Sequence, residues 1–179
     1  MIFSTRNRHP MEFKEITPEE LNGNPFSMIG KDWMLVSAGN SEHNCNAMTA
    51  SWGGMGVMWR KNVVFVVIRP QRCTKEFMDR EARFSLSFFG GEQRKALSWM
   101  GSVSGHQVRD KVAQSGLTPF MVDGTPCFRE ARTIMICRKL FAQPYDPACF
   151  LDASIDPEWY SEKDYHTLYI AEIEKVLTR

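Results

Sequence analysis

No apolar stretch in this chain approaches the ~20 residues that a membrane-crossing helix needs. An excess of one charge is missing as well. Twenty-two Lys and Arg face 21 Asp and Glu, a formal net charge of +1, so no broad field points to nucleic acid or to a membrane surface. Cysteines are few: five in 179 residues (Cys45, Cys73, Cys127, Cys137 and Cys149), with no Cys-x-x-Cys pair. That odd count points to reduced thiols and a cytoplasmic location rather than a disulfide framework. The four histidines are scattered and His-Glu-x-x-His is absent, so no metal site is expected. The opening MIFSTRNRHPMEF lacks the apolar centre of a signal peptide, and its Arg6 and Arg8 read as a solvated terminus.

What remains is an ordinary globular composition, 43% hydrophobic and 24% charged, without repeats or long linkers. Residues 1–179 therefore read as one domain. Thr17-Pro18-Glu19-Glu20 has the chemistry of a helix start and predicts one short helix. Strands are predicted at Trp33–Ser37, at the unbroken apolar run Asn62–Ile68, at Thr133–Phe141 and at His166–Ile173. Phe84, Leu86 and Phe88 alternate with Ser85 and Ser87, which predicts a half-buried strand. Helices are predicted over Thr74–Glu81, with Thr74 as the cap, over Glu92–Met100, and over His106–Ser115, which Gly116 can end. Strands dominate and the crossovers are irregular. A mainly β fold, an antiparallel barrel closed or partly closed with peripheral helices, fits better than a regular βαβ array.

Four segments carry the candidate chemistry, and each has a plain structural alternative. NAMTASWGGMGVMW, Asn46 to Trp59, packs Thr49, Ser51, three glycines and two tryptophans into one apolar run. Its glycines do not complete Gly-x-Gly-x-x-Gly, because Trp59 stands where the last glycine would be. They mark either close approach to a ligand or a tight barrel corner, and the Met and Trp content around Trp52, Met55, Met58 and Trp59 is ordinary in a core. RPQRCT, Arg69 to Thr74, puts two guanidiniums and a hydroxyl at a helix start, which suits a phosphate or a solvated capped loop. GSVSGHQVRDK, Gly101 to Lys111, fails the Gly-x-Ser-x-Gly hydrolase pattern, since Val103 occupies the nucleophile position. It leaves an anion-binding loop or a Ser-capped surface helix. His166 stands alone, with no second acid or base at readable spacing.

The order of these segments is more specific than any one of them. NAMTASW, then VVFVVIRPQRCT, RFSLSFF, SVSGHQVRDKV and DYHTLYIAEI resembles the flavin reductase-like family of FMN-binding split barrels, with flavoredoxins as a near branch. The resemblance runs from about Trp33 to Val176, leaving residues 1–30 as an N-terminal extension. It implies a six-stranded antiparallel split β-barrel, a homodimer with the flavin near the subunit interface, FMN as cofactor and NAD(P)H as electron donor. Carried over, Asn46, Met48, Thr49, Ala50, Ser51 and Trp52 would meet the flavin ring. Arg69, Arg72, Cys73 and Thr74 would serve ribityl and phosphate. Ser104, Gly105, Asp110 and Lys111 match the family's Ser-Gly-Arg-Asp-x-Asp-Lys-Phe motif, although His106 and Val112 replace its Arg and Phe. Asp164, His166, Leu168 and Glu172 keep the last-strand pattern, with Ala171 and Ile173 replacing its Gly and Val. His166 is the side chain expected nearest the nicotinamide or substrate. The implied activity is flavin reduction by NAD(P)H; a non-enzymatic FMN electron carrier and a flavin-free binding barrel are the alternatives.

Overall fold

The computed structural model describes residues 12–179, so Arg6 and Arg8 lie outside the described residues. A short strand β1 (Lys14–Ile16) comes first. At Thr17 the expected helix is only the single 3-10 turn Pro18–Glu20, where the Glu20 carboxylate accepts from the Thr17 N–H at 2.8 Å. The turn α1 (Pro25–Ser27), capped by Asn24, leads into β2 (Met34–Gly39), β3 (Cys45–Ala50), β4 (Gly53–Met58) and β5 (Lys61–Ile68). Then follow α2 (Cys73–Arg80), β6 (Arg83–Phe88), α3 (Arg94–Ser102), α4 (Lys111–Gln114), β7 (Pro119–Val122), β8 (Thr125–Phe128), β9 (Thr133–Pro144), α5 (Ile155–Trp159) and β10 (Thr167–Thr178).

The main sheet runs β3-β2-β6-β9-β10-β5-β4, with β1 added to β10, and the pairings are antiparallel. This is the mainly β architecture expected, with eight strands in the sheet rather than six. The extra strands are β1, inside the N-terminal extension, and the glycine-rich β4. Twelve-residue β9 and β10 form the spine, and two register shifts along their pairing let the sheet curl.

Burial on both faces explains the apolar sequence of β2. Met34, Val36 and Ala38 enter one core with Val64, Val66, Phe84, Leu86 and Tyr169. Leu35 enters a second core with Leu97, Met100, Phe128 and Ile134. The same arrangement corrects the half-buried reading of β6. Ser85 and Ser87 are fully buried, because the β7–β8 hairpin covers their face and the Ser85 hydroxyl donates to the Pro126 carbonyl at 2.5 Å.

Two helix expectations also change. Arg72, not Thr74, is the N-cap of α2, and Thr74 sits buried in the first turn. Over His106–Ser115 only Lys111–Gln114 is α-helical; the preceding residues make turns closed on the Ser104 carbonyl. As for the glycines, Gly53 has φ +143°, and a Cβ there would lie 2.4 Å from the Phe65 carbonyl oxygen. The close approach is to the backbone of β5, so the barrel-corner reading holds at that position.

Candidate functional site

β3 leaves the barrel at Ala50, and its end forms one wall of a cleft of about 200 Å³. Met48, Thr49, Ala50, Ser51 and Trp52 line it from that strand end, together with Val67, Arg69, Arg72, Trp159 and His166. Trp52 and Trp159 meet edge to face, with centroids 5.0 Å apart and planes at 79°. Not all the hydroxyls are available here: Thr49 donates to the Leu97 carbonyl at 2.5 Å, which pins β3 to α3. The rest of the lining combines apolar and aromatic side chains (Met48, Ala50, Trp52, Val67 and Trp159) with the polar Ser51, Arg69, Arg72 and His166, a mixture that suits a flat heteroaromatic ring with a polar edge.

A second chamber of about 290 Å³ shares Met48, Arg69 and Arg72 with the first. Asn46, Cys73, Thr74, Ser104, Gly105 and Lys111 also line it. The Thr74 hydroxyl accepts from Asn46 Nδ2 at 3.1 Å, so its own proton remains to be donated. Cys73 and Thr74 also carry first-turn amides that α2 leaves free. Gly105 is needed for space: a Cβ there would lie 2.9 Å from Cys73 Sγ and 3.0 Å from the Asn46 amide.

The cations of this chamber are not equivalent. Arg69 is held by Asp164 at 2.5 Å and by the Trp159 carbonyl at 2.8 Å, and its guanidinium lies over the Tyr160 ring. Its charge is therefore met within the protein. Among the described residues Arg72 donates only to the neutral Gly101 carbonyl, at 2.8 Å. Lys111 is 3% exposed and, among the described residues, donates only to the neutral Ala47 carbonyl, at 2.9 Å. Among the described residues neither Arg72 nor Lys111 forms an ion pair. Burial, reinforced by Arg72, pushes the Lys111 ammonium down to about 8, and burial with the neighbouring Arg69 lowers Arg72. Two cations held together without a carboxylate are an anion site in electrostatic terms.

His166 is buried beside the ring cleft, and burial holds its imidazole down to about 4, with Arg69 adding to the effect and Asp164 opposing it. It is neutral near pH 7. Its Nδ1 lies 2.8 Å from the Tyr160 hydroxyl. Cys73 is held above the ordinary thiol range, chiefly by burial, so its thiolate is not favoured.

All thirteen residues expected to hold a cofactor thus line these two adjoining spaces, and His166 lines the first. Asp110 lies just outside, lining a neighbouring hollow with Lys111. Of the last-strand residues, Asp164 reaches the site through Arg69 and Gln71, and Glu172 lies elsewhere, paired with Lys61 and Arg138. Sequence reasoning missed Trp159 and Tyr160. The aromatic pair in DPEWY, standing in a polar stretch, is the one trace they leave.

Comparison with known proteins identifies the family and the fold. A family model described as the flavin reductase like domain matches residues 26–179. No curated protein matches the chain. Among solved structures, an FMN-binding domain of a flavin reductases-like enzyme from Shewanella baltica superposes with a TM-score of 0.66 at 15% identity, covering 93% of this chain and 77% of its own. Flavoredoxin from Methanosarcina acetivorans gives 0.64 at 20% identity, covering 89% and 74%. An NADH:FAD oxidoreductase from Streptomyces globisporus gives 0.60 at 17%, covering 83% and 75%. These identities establish a shared fold.

Proposed function

This chain belongs to the flavin reductase like domain family, and from that premise we propose that it is an FMN-dependent oxidoreductase that accepts electrons from NAD(P)H. The observation that carries the reading is the pairing of a cleft lined by aromatic rings with an adjoining positive chamber whose Arg72 and Lys111 have no anionic partner among the described residues. That sequence of environments matches a flat ring joined through a polar chain to a phosphate. Bound FMN would supply the hydride chemistry, which needs no catalytic triad from the protein.

The protein's own groups do the rest. Arg72, Lys111, the Thr74 hydroxyl and the first amides of α2 would hold the phosphate. Met48 to Trp52 would flank the ring, and the neutral His166 would face the nicotinamide or substrate. We also assign the working form as a homodimer, in which a second copy covers the apolar face beside the cleft. Phe26 is 88% exposed, Val57 71% and Trp59 56%. Phe26 lines an apolar hollow with Ile29, Gly54 and Met55 that shares Ser51 and Trp52 with the ring cleft. Val57 lies on β4, which ends the sheet, and Trp59 in the turn that follows it.

The test is a visible spectrum of the purified protein with added FMN, followed anaerobically during NADH or NADPH addition. The reading expects stoichiometric FMN binding and bleaching on a catalytic timescale. Failure to bind FMN rejects it. FMN binding without bleaching would assign the protein instead as an electron carrier.

A further inference from the structure

The segment between β9 and β10 builds an aromatic nest around His166. Tyr160 is 2% exposed; Phe150 stacks on its ring at 5.5 Å and 15°, Tyr145 meets it edge on, and the Arg69 guanidinium lies 5.1 Å from its centroid. The ring has little freedom to move. Its hydroxyl has one hydrogen-bonding neighbour among the described residues, His166 Nδ1 at 2.8 Å.

That contact can run in two directions. If Nδ1 carried the proton and donated to the phenol, the buried phenolic O–H would be left with no acceptor among the described residues. If the phenol donates, both groups are satisfied, and the imidazole proton must sit on Nε2. Burial keeps the phenol protonated, and burial, reinforced by Arg69, keeps the imidazole neutral despite Asp164. Nε2 makes no hydrogen bond among the described residues, and its ring lines the cleft beside Trp52, at 5.4 Å between centroids.

We propose that Tyr160 is a positioning residue that fixes His166 as its Nε2–H tautomer, so that the cleft presents a neutral N–H donor to a carbonyl oxygen of the bound hydride donor, such as a nicotinamide carboxamide. A neutral donor suits a neutral carbonyl, whereas a charged imidazolium here would add to the positive field of Arg69 and Arg72. This deepens the hydride-transfer reading and rests on it for the identity of the ligand, but the tautomer itself is independent of flavin.

The experiment is nitrogen-15 NMR of the imidazole in the flavin-free protein, for wild type and Tyr160→Phe, together with steady-state kinetics of the FMN-loaded proteins with NADH and NADPH. In the wild type, Nδ1 should show the shift of an unprotonated nitrogen and Nε2 that of a protonated one. In Tyr160→Phe the two shifts should move toward each other as the tautomers mix. Its KM for the nicotinamide nucleotide should rise about two- to tenfold, the loss expected for one neutral hydrogen bond, with kcat changed less and FMN affinity retained. His166→Gln carries an amide N–H that needs no tautomer, so adding Tyr160→Phe to it should change KM by less than twofold, a coupling that mere packing damage would not produce. A protonated Nδ1 in the wild type, or unchanged ring shifts in Tyr160→Phe, overturns the proposal. A protein that binds no flavin rejects the proposed function but leaves the NMR result readable.

Discussion

Replacing Lys111 with methionine should move stability and affinity in opposite directions. Lys111 is 3% exposed, hydrogen-bonded to the Ala47 carbonyl, and held at about 8 rather than near 10.5. At 1.36 kcal/mol per pH unit, that displacement sets an upper limit of about 3 kcal/mol on the cost of keeping the ammonium charged. The adjoining chamber screens part of this, and losing the bond to Ala47 offsets about 0.5–1.5 kcal/mol more. The flavin-free Lys111→Met protein should therefore be more stable by about 1 kcal/mol, read as a higher midpoint in urea. Its FMN affinity should fall, because one charge-assisted hydrogen bond to the phosphate contributes about 1.5–3 kcal/mol, or roughly 10- to 150-fold in Kd. Flavin fluorescence quenching measures that directly. The same argument gives a pH dependence. Phosphate is already largely dianionic above pH 7, so in the wild type the FMN Kd should rise as pH climbs through about 8 and Lys111 loses its proton. In Lys111→Met that rise should vanish. A variant that is less stable without flavin and binds FMN as tightly as the wild type would show that Lys111 is a structural lysine, and would refute the phosphate assignment.

Two further outcomes follow from the geometry. Gly105→Ala should lower FMN affinity by at least tenfold in the same fluorescence titration, since its Cβ would press on Cys73 Sγ at 2.9 Å and on the Asn46 amide that orients Thr74; an unchanged Kd would mean that the chamber is not the phosphate site. Val57→Asp, on the outermost strand with a side chain already 71% exposed, should leave the monomer folded yet shift sedimentation from dimer to monomer; a persistent dimer would place the interface on another face.

The parts of this fold that could be read from sequence are those where one pattern had one physical meaning. The apolar run of β5 and the cap chemistry near Thr74 located the strand and helix that flank the chamber to within a residue or two. β6 was misread because alternating serines look like a solvent face; only the β7–β8 hairpin, distant in the chain, buries them. That hairpin had a local signal, Asp123-Gly124, whose residues adopt φ 48° and 72° as a tight hairpin turn requires. The turn between β4 and β5 had none, since Trp59 and Arg60 take φ 52° and 57° without glycine or asparagine. At the site, the residues of β3 and α2 were legible because their order along the chain carries the resemblance. Trp159 and Tyr160 were not: their role comes from the path of the β9–β10 segment, and no periodicity records it.

Arg69 shows why the site has a direction. Its place in RPQRCT suggests a ribityl or phosphate ligand, and it lines both spaces, but Asp164 meets its charge and the Trp159 carbonyl takes a further donor, so it also fastens the aromatic segment to the end of β5. Gln71 reinforces that joint by donating to the same Asp164 carboxylate at 2.5 Å. The consequence is a separation of charge along one continuous space. At the Trp52–Trp159 end the cation is neutralised, His166 is uncharged and the walls are aromatic. Toward the Lys111 end, Arg72, which lines both spaces, and Lys111 beyond it have no counter-ion among the described residues. A ligand with an apolar ring and an anionic tail gains at both ends in one orientation and loses at both in the other, because reversal would bury its charge against indole and leave Arg72 and Lys111 unmet. The polarity of the cleft, more than any single contact, orients the ligand.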